Sequence, residues 1–474
     1  MYLKTILTII FIYHTKVIEQ CDVDDDETNF LRNECNFNKP LLERLMVYKP
    51  VINYIMATVK SKMISEDFYE KYSTFIDTFG SRPAGSMNLE NAIDYMNQLT
   101  YHSGIKNVFT ENVTVPYWQR GYESIKMIRP RFKNIAAIGL GPSVETPRYG
   151  LIAEVIVVGS FEELDEIDNV EGKIVLFNAK FSSYSETVKY RVHSAVKAAQ
   201  KGAVAVLIRS LTPFSLYTPH TGATTYKQNV KKIPAAAITV EDADYIQRLY
   251  NYRERITINI TMSSTIAKKI SRNTIINLKG SYEPEKVVIV SGHIDSWDVG
   301  QGAIDNGGGM MISWFVPVIL KYLNLKPRRT IRSILWTAEE EGLIGGAAYI
   351  MRHLNELHNI NFILESDAGT FKPLGLEVAG SSAAKCLIAN ILTLFSPIDK
   401  IRFVNNTGSE MSLFVYKGVP GASLLNQDRD YFLYHHTHAD TLTAQNKVNV
   451  VNCAAFWAAI SYVIADIPMP IPRD

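Results

Sequence analysis

The sequence predicts an α/β protein: a three-layer sandwich around a mostly parallel sheet, interrupted by an inserted β-rich domain. Three observations carry this. From Asn273 onward, strand-like and helical runs alternate, as in parallel strands joined by crossover helices. Between about Gly121 and Ser264 the texture changes to closely recurring β runs. Finally, His293, Glu339, Glu340 and Asp367 each fall just past the C-terminal end of a predicted strand. Open α/β sheets bind their ligands at that edge.

At the N-terminus, Lys4 precedes the apolar run Ile6 to Tyr13. The run is too short to span a bilayer but suits the hydrophobic region of a signal peptide. Residues 1–20 are therefore read as a signal and 21–45 as a propeptide, which opens on the acidic stretch Asp22 to Glu27. Helical spacing runs from roughly Leu41 to Ser61 and from Glu66 to Phe79. The turn Gly80-Ser-Arg-Pro-Ala-Gly85 breaks it, Leu89 to Leu99 resumes it, and Val108 to Trp118 is strand-like.

Within 121–264 the strands are Leu151–Val158, Lys173–Phe177, Val204–Ile208, Ala235–Val240 and Ile256–Ile260, with a helix from Val192 to Lys201 closed by Gly202. No cluster of metal-binding residues occurs there, so this domain is expected to shape the site without doing the chemistry. Beyond it, Lys286–Ser291, Thr330–Thr337 and Phe362–Glu365 read as strands. Asn306–Leu323, Leu343–Leu357, Ala383–Phe395 and Val448–Ile464 read as helices.

A chain of 474 residues is long enough for this two-part organisation. With 49 basic and 48 acidic residues the net charge is +1, which leaves no electrostatic case for nucleic acid or an anionic membrane as partner. No stretch after the signal reads as a membrane span, so the mature protein is expected to be soluble. The four cysteines, Cys21, Cys35, Cys386 and Cys453, match no zinc-thiolate spacing. Cys21 and Cys35 pairing across a small loop, and all four remaining unpaired, both stay open. Sequons at Asn112, Asn259 and Asn405 agree with a secretory route, although the last lies beside a candidate substrate loop and is expected to carry no glycan.

The chemistry resides in four segments. Ser291-Gly-His-Ile-Asp-Ser-Trp-Asp-Val-Gly-Gln-Gly-Ala-Ile-Asp305 supplies His293, Asp295 and Asp305; Glu339 and Glu340 are adjacent; Asp367 follows a strand; and His436 opens a His-Thr-x-x-Asp-Thr run. Zinc accepts imidazole and carboxylate together, and a pair of ions needs a bridging carboxylate. The expected sets are His293, Asp305 and Asp367 for one ion, and Asp305, Glu340 and His436 for the other. Glu339 would take a proton from metal-bound water and deliver it to the leaving amine. Asp295 would orient His293 without touching metal. Each residue alone has a plainer reading: a structural histidine, a helix-start carboxylate, a helix cap. Their joint occurrence favours metal. Of His435, His436 and His438, one at most is a ligand. His353 and His358 lack the HExxH spacing and are read as surface residues. The loop Pro219-His220-Thr-Gly222 is a candidate substrate contact through His220.

At these segments the sequence resembles the M28 metallopeptidases. Trp336-Thr-Ala-Glu-Glu340, Glu365-Ser-Asp-Ala-Gly-Thr-Phe371, Gly418-Val-Pro-Gly-Ala-Ser-Leu-Leu425 and His435-His-Thr-His-Ala-Asp-Thr441 are similar to the family's other site segments. In that pattern the ligand is the histidine four residues before the Asp, which selects His436. Ala198-Ala-Gln-Lys-Gly-Ala-Val-Ala-Val-Leu-Ile-Arg-Ser210 resembles a protease-associated (PA) domain. The implied organisation is a zinc-peptidase domain, 46–120 and 265–474, with a PA-like domain inserted at 121–264.

The resemblance further implies two zinc ions, a removable propeptide, a homodimer and a secreted or lysosomal setting. It implies a non-proline cis peptide at Asp305–Asn306, and hydrolysis of dipeptides or short peptides with release of the C-terminal amino acid. Asn306 and Glu341 depart from the family pattern, as does Gly408-Ser-Glu-Met411, where Gly408, Ser409 and Glu410 form the candidate substrate loop. The alternatives are an M28 aminopeptidase acting on longer peptides and an inactive M28-like binding protein. The complete ligand set argues against the second.

Overall fold

The computed structural model describes residues 35, 39–405 and 409–473. The signal segment 1–20 and most of the 21–45 segment lie outside these residues. The described strands are β1 (Val108–Arg129), β2 (Lys133–Ile135), β3 (Ala137–Gly139), β4 (Leu151–Val158), β5 (Ile174–Phe177), β6 (Ala205–Arg209), β7 (Ala235–Ile238), β8 (Thr257–Leu278), β9 (Glu283–His293), β10 (Arg329–Trp336), β11 (Ile360–Glu365), β12 (Pro373–Ala379), β13 (Lys400–Phe403) and β14 (Gly421–Asn426). They form one continuous sheet in the order β13-β12-β14-β11-β9-β10-β8-β4-β5-β6-β7-β3, with β1 lying along β8 and β2 on β1.

The larger part is built around β9. Its Val287 to Val290 are buried on both faces, as expected of a strand covered by helices on each side. Val288 and Val290 face a core shared with helices Lys49–Lys60, Lys62–Phe79, Gly308–Tyr322 and Lys447–Asp466. Val287 and Ile289 point the other way, toward helices Ile344–Arg352 and Glu410–Tyr416. This gives the three layers. β9 pairs in parallel with β10 on one side and β11 on the other. Connections leaving in opposite directions open a crevice at the C-terminal end of β9, where His293 is the last residue.

The Gly308–Tyr322 and Lys447–Asp466 helices correct the sequence reading. The segments 303–322 and 447–466 are long and apolar enough to cross a membrane, yet 94% and 83% of their apolar windows are buried in the core. A helix held between layers is apolar on every side, so the length test alone does not separate it from a span.

The inserted domain is joined by hydrogen bonds rather than by a linker. β1 and β8, 22 residues each, pair antiparallel from Val108↔Ile276 to Arg129↔Thr257. One end of β8 pairs with β10 (Ile275↔Ile334) and the other with β4 (Ile258↔Ala153). Residues 121 and 264 thus fall in mid-strand. The register shift between Arg120 and Glu123 marks the place. Gly121 lies inside it, where a Cβ would come 2.3 Å from the Ser263 Oγ.

β4 to β7 run parallel, flanked by helices Phe161–Asp165, Tyr184–Gln200 and Val240–Asn251; the sequence reading found one helix here. The core on one face of this sheet also takes in Trp118, Trp297 and Val299. The last two come from the segment between His293 and Asp305.

Cys35 is bonded to Cys386 across 351 residues of sequence, and Cys453 is free and buried. The Cys21–Cys35 alternative is therefore overturned: Cys35 has a partner from the 382–392 helix. The end of the 21–45 segment is also part of the larger core, since it forms a helix, Lys39–Leu45, whose Leu45 is buried among the core side chains.

Candidate metal centre

Asp305 lies at the middle of the site. It belongs to a tight turn between Gly302, which has φ 57°, and the 308–322 helix, and the Asp305–Asn306 peptide is cis. Its Oδ1 is 3.2 Å from the His293 Nε2, and its Oδ2 is 3.2 Å from the His436 Nε2. One carboxylate therefore addresses two imidazoles, one oxygen each. Asp367, two residues past β11, brings its Oδ1 to 2.9 Å from the same His293 nitrogen. Glu340 brings its Oε2 to 3.0 Å from the His436 Nε2. Glu339 Oε2 is 3.9 Å from the His293 Nε2. The five expected ligands and the expected base thus converge.

Two groups of donors lie within 4.8 Å of one another: His293, Asp305 and Asp367; and Asp305, His435 and His436. His435 stacks on His436 with 3.5 Å between ring centroids, and its Nε2 is 3.5 Å from Asp305. Two imidazoles therefore face the Oδ2 of Asp305, and that of His293 faces its Oδ1. His436, the closer, also meets Glu340, while His438 is exposed.

The electrostatics suit cations. Glu340 Oε1, Glu341 Oε2, Glu365 Oε1 and both Glu410 oxygens are buried with no hydrogen-bond partner, a costly arrangement for carboxylates. Burial pushes Glu339 and Glu340 well above the usual carboxylate range; Asp367 and Glu340 add to the shift at Glu339, and Asp305 adds to it at Glu340. Burial opposes the shifts of Asp305 and His293, but their partners prevail. Bonds from His293 and His436 hold Asp305 well below its ordinary value, and Asp367 with the neighbouring carboxylates holds His293 well above its own. Nitrogen and oxygen donors around unneutralised carboxylates are the donor set zinc accepts.

Asp295 lies behind the His293 ring: the His293 Nδ1 is 3.0 Å from the Asp295 backbone carbonyl and 3.7 Å from its carboxylate. The carboxylate also accepts the backbone N–H groups of Glu339 (3.2 Å) and Glu340 (3.3 Å), which ties both residues to the His293 loop.

Of the substrate-loop candidates, Ser409, Glu410 and His220 are at most 2% exposed, as His293 is, and Gly408 lies outside the described residues. Ser409 Oγ donates to Glu365 at 2.9 Å, two residues before Asp367. His220 lies behind His436, and burial first, then that neighbour, lowers its pKa to about 3, so the ring is neutral.

Several supporting residues were not found in the sequence. The Asp440 carboxylate accepts three successive backbone N–H groups, from Ala303 (2.9 Å), Ile304 (2.6 Å) and Asp305 (3.1 Å). Its place in the His-Thr-x-x-Asp-Thr run was the available signal. The Arg82 side chain, from the turn after the 62–79 helix, donates to the carbonyls of Ile294 (2.7 Å), Gln301 (2.8 Å) and Gly302 (2.9 Å). From the inserted domain, the Thr221 carbonyl lies 3.1 Å from the His436 Nδ1, and Arg191 lies beside them. Asn306 donates its amide N–H to the Ser366 carbonyl at 2.7 Å, a bond an acidic residue there could not donate.

The comparisons with known proteins agree with this geometry. Residues 273–461 match the model of peptidase family M28, and 142–246 match the PA domain. The chain is 42% identical to mouse Carboxypeptidase Q, covering 92% of this chain and 93% of that protein, and 45% identical to the human protein of the same name, covering 86% and 87%. The crystal structure of a peptidase M28 precursor from Shewanella amazonensis superposes with a TM-score of 0.85 at 31% identity, covering 90% of this chain and 99% of that one. A zinc aminopeptidase from Bacillus subtilis shares the fold at 21% identity, with a TM-score of 0.67 over 86% of this chain and 97% of its own. The chain belongs to peptidase family M28.

Proposed function

We propose that this metallo-exopeptidase hydrolyses dipeptides or short peptides and releases the C-terminal amino acid, using two zinc ions. The single observation that carries the two-ion reading is Asp305, which directs one oxygen toward His293 and the other toward His436. His293, Asp305 and Asp367 would hold one ion; Asp305, Glu340 and His436 would hold the other. The likeness to proteins named Carboxypeptidase Q supports the choice of bond, and the zinc aminopeptidase of the same fold supports the choice of metal.

When bound, zinc supplies Lewis-acid polarisation of the scissile carbonyl and lowers the pKa of water. The residues of the chain do the rest. Asp295 fixes the backbone of Glu339 and Glu340, so that the Glu339 carboxylate stays beside His293. Glu339 takes the proton of the attacking water and passes it to the leaving amine nitrogen. Burial raises its proton affinity, which strengthens the carboxylate as a proton acceptor. Arg82 and Asp440 hold the 294–305 loop so that Asp305 does not move as charge develops.

The setting we propose is the secretory pathway, secreted or lysosomal. The Cys35–Cys386 disulfide and the exposed sequon asparagine Asn112 support it; the homodimer rests on the family resemblance. Free dipeptides, N-blocked dipeptides and C-amidated dipeptides test the substrate class. Only the free forms should turn over, and cleavage of amidated or longer peptides from the N-terminus would establish aminopeptidase activity instead. Glu339→Gln should keep its zinc while kcat falls roughly 10²–10⁴-fold; unchanged kcat would remove Glu339 as the base.

A further inference from the structure

The ligand His436 is held from outside the peptidase domain. Its backbone is left-handed, with φ 63°, a conformation that disfavours residues other than glycine. Two hydrogen bonds to one residue of the inserted domain grip it there. The Thr221 N–H donates to the His436 carbonyl at 3.0 Å, and the Thr221 carbonyl lies 3.1 Å from the His436 Nδ1. Arg191, on the 184–200 helix, places its Nη1 3.3 Å from that Nδ1 and 3.4 Å from the Thr221 carbonyl, while its Nη2 donates to the Tyr184 hydroxyl at 2.6 Å.

Beside Nδ1 the acceptor is the Thr221 carbonyl, since a guanidinium nitrogen only donates. A ring that offers Nε2 to a metal ion carries its proton on Nδ1 and gives it to Thr221, and Arg191 then steadies the ring through that same carbonyl. The lone pair remains on Nε2, the nitrogen facing Asp305 and Glu340. The loop is also closed in from behind: a Cβ at Gly222, where φ is 139°, would lie 2.4 Å from the Arg191 guanidinium carbon.

We propose that Thr221 and Arg191 are positioning residues for His436, so that one of the two metal positions is completed by the inserted domain. The inference rests on the two-ion reading above. It makes the inserted domain part of the metal centre.

The test is a stepwise zinc titration of the apo full-length protein against a fluorescent chelator, for the unaltered protein, Arg191→Ala and Gly222→Ala, with circular dichroism as the check of folding. The unaltered protein should show two binding steps. Each variant should keep one of them and weaken the other roughly 10–100-fold, the scale of lost support behind a ligand histidine, and excess zinc should refill it. Two unchanged steps in both variants would overturn the inference. So would equal weakening of both steps, which marks a loosened fold. If Arg191→Ala fails to fold, Gly222→Ala alone decides between these outcomes. A single step in the unaltered protein would instead remove the two-ion reading, and this inference with it.

Discussion

His293 and Asp367 stand at the ends of neighbouring parallel strands, whereas Glu340 and His436 come from loops that other segments must hold. On the first side, the registers β9–β10 and β9–β11 place the ligands through the sheet itself. On the second, Glu340 depends on Asp295 for its backbone, and His436 depends on Thr221, 215 residues away in sequence. Strand ends are positioned by a ladder of hydrogen bonds and a packed core. Loop ligands need a dedicated partner for each degree of freedom. The strand-borne half should therefore tolerate local change, while the loop-borne half should fail one contact at a time.

Three substitutions sharpen or break this contrast. The largest effect is expected for Asp305→Ala, because its two oxygens serve both halves. Losing several kcal/mol of metal-supplied stabilisation, at about 1.36 kcal/mol per decade, should lower kcat/KM at least roughly a thousandfold. On the proposed two-ion reading both zinc equivalents should weaken together, and a variant with one undisturbed equivalent would show that the carboxylate is not shared.

Next is Asp440→Ala, which strips the acceptor from three backbone N–H groups. Zinc affinity should fall roughly 10–100-fold, again at both steps, because Asp440 acts on Asp305 rather than on either half. Weakening confined to one step in a zinc titration would place its action on that half alone.

The smallest effect on chemistry belongs to Cys386→Ser. Loss of the Cys35–Cys386 link should cost about 2–5 kcal/mol of stability, read as a lower denaturation midpoint, with kcat per folded molecule unchanged. A changed kcat would connect the leader to the active site.

The strand-borne half was legible in the sequence for the same reason that it is rigid. His293 and Asp367 directly follow apolar runs that can only be buried strands, and the edge rule of α/β sheets turns that placement into a site. Asp305 was legible in the segment that His293 opens, and His436 was singled out from His435 and His438 by the resemblance to the M28 pattern. The supports were not. The Thr221 contact is made by backbone atoms, which carry no residue signature, and Arg82 acts from a turn that read only as a break between helices.

Long β8 was also hidden, because its middle, around Lys268 and Lys269, lies exposed between the two domains and shows no apolar alternation. β12, β13 and β14 are short strands beside Gly375, Gly380 and Gly421, and the sequence reading assigned no strand there. Cys35 and Cys386 lie too far apart in the chain for spacing to pair them.

Trp297 and Val299 add a consequence for modularity. They lie within the metal-binding segment yet pack in the core of the inserted domain, where Trp297 also rests 5.6 Å from the His436 ring. A Cβ at Gly141 of that domain would come 2.5 Å from the Trp297 ring. Excising residues 121–264 would therefore uncover an indole beside His436, and the excised piece would carry a hole shaped for it. The two domains are separable as names along the chain but not as folding units, so recombining peptidase and inserted domains between relatives should succeed only when the segment from His293 to Asp305 travels with its own insert.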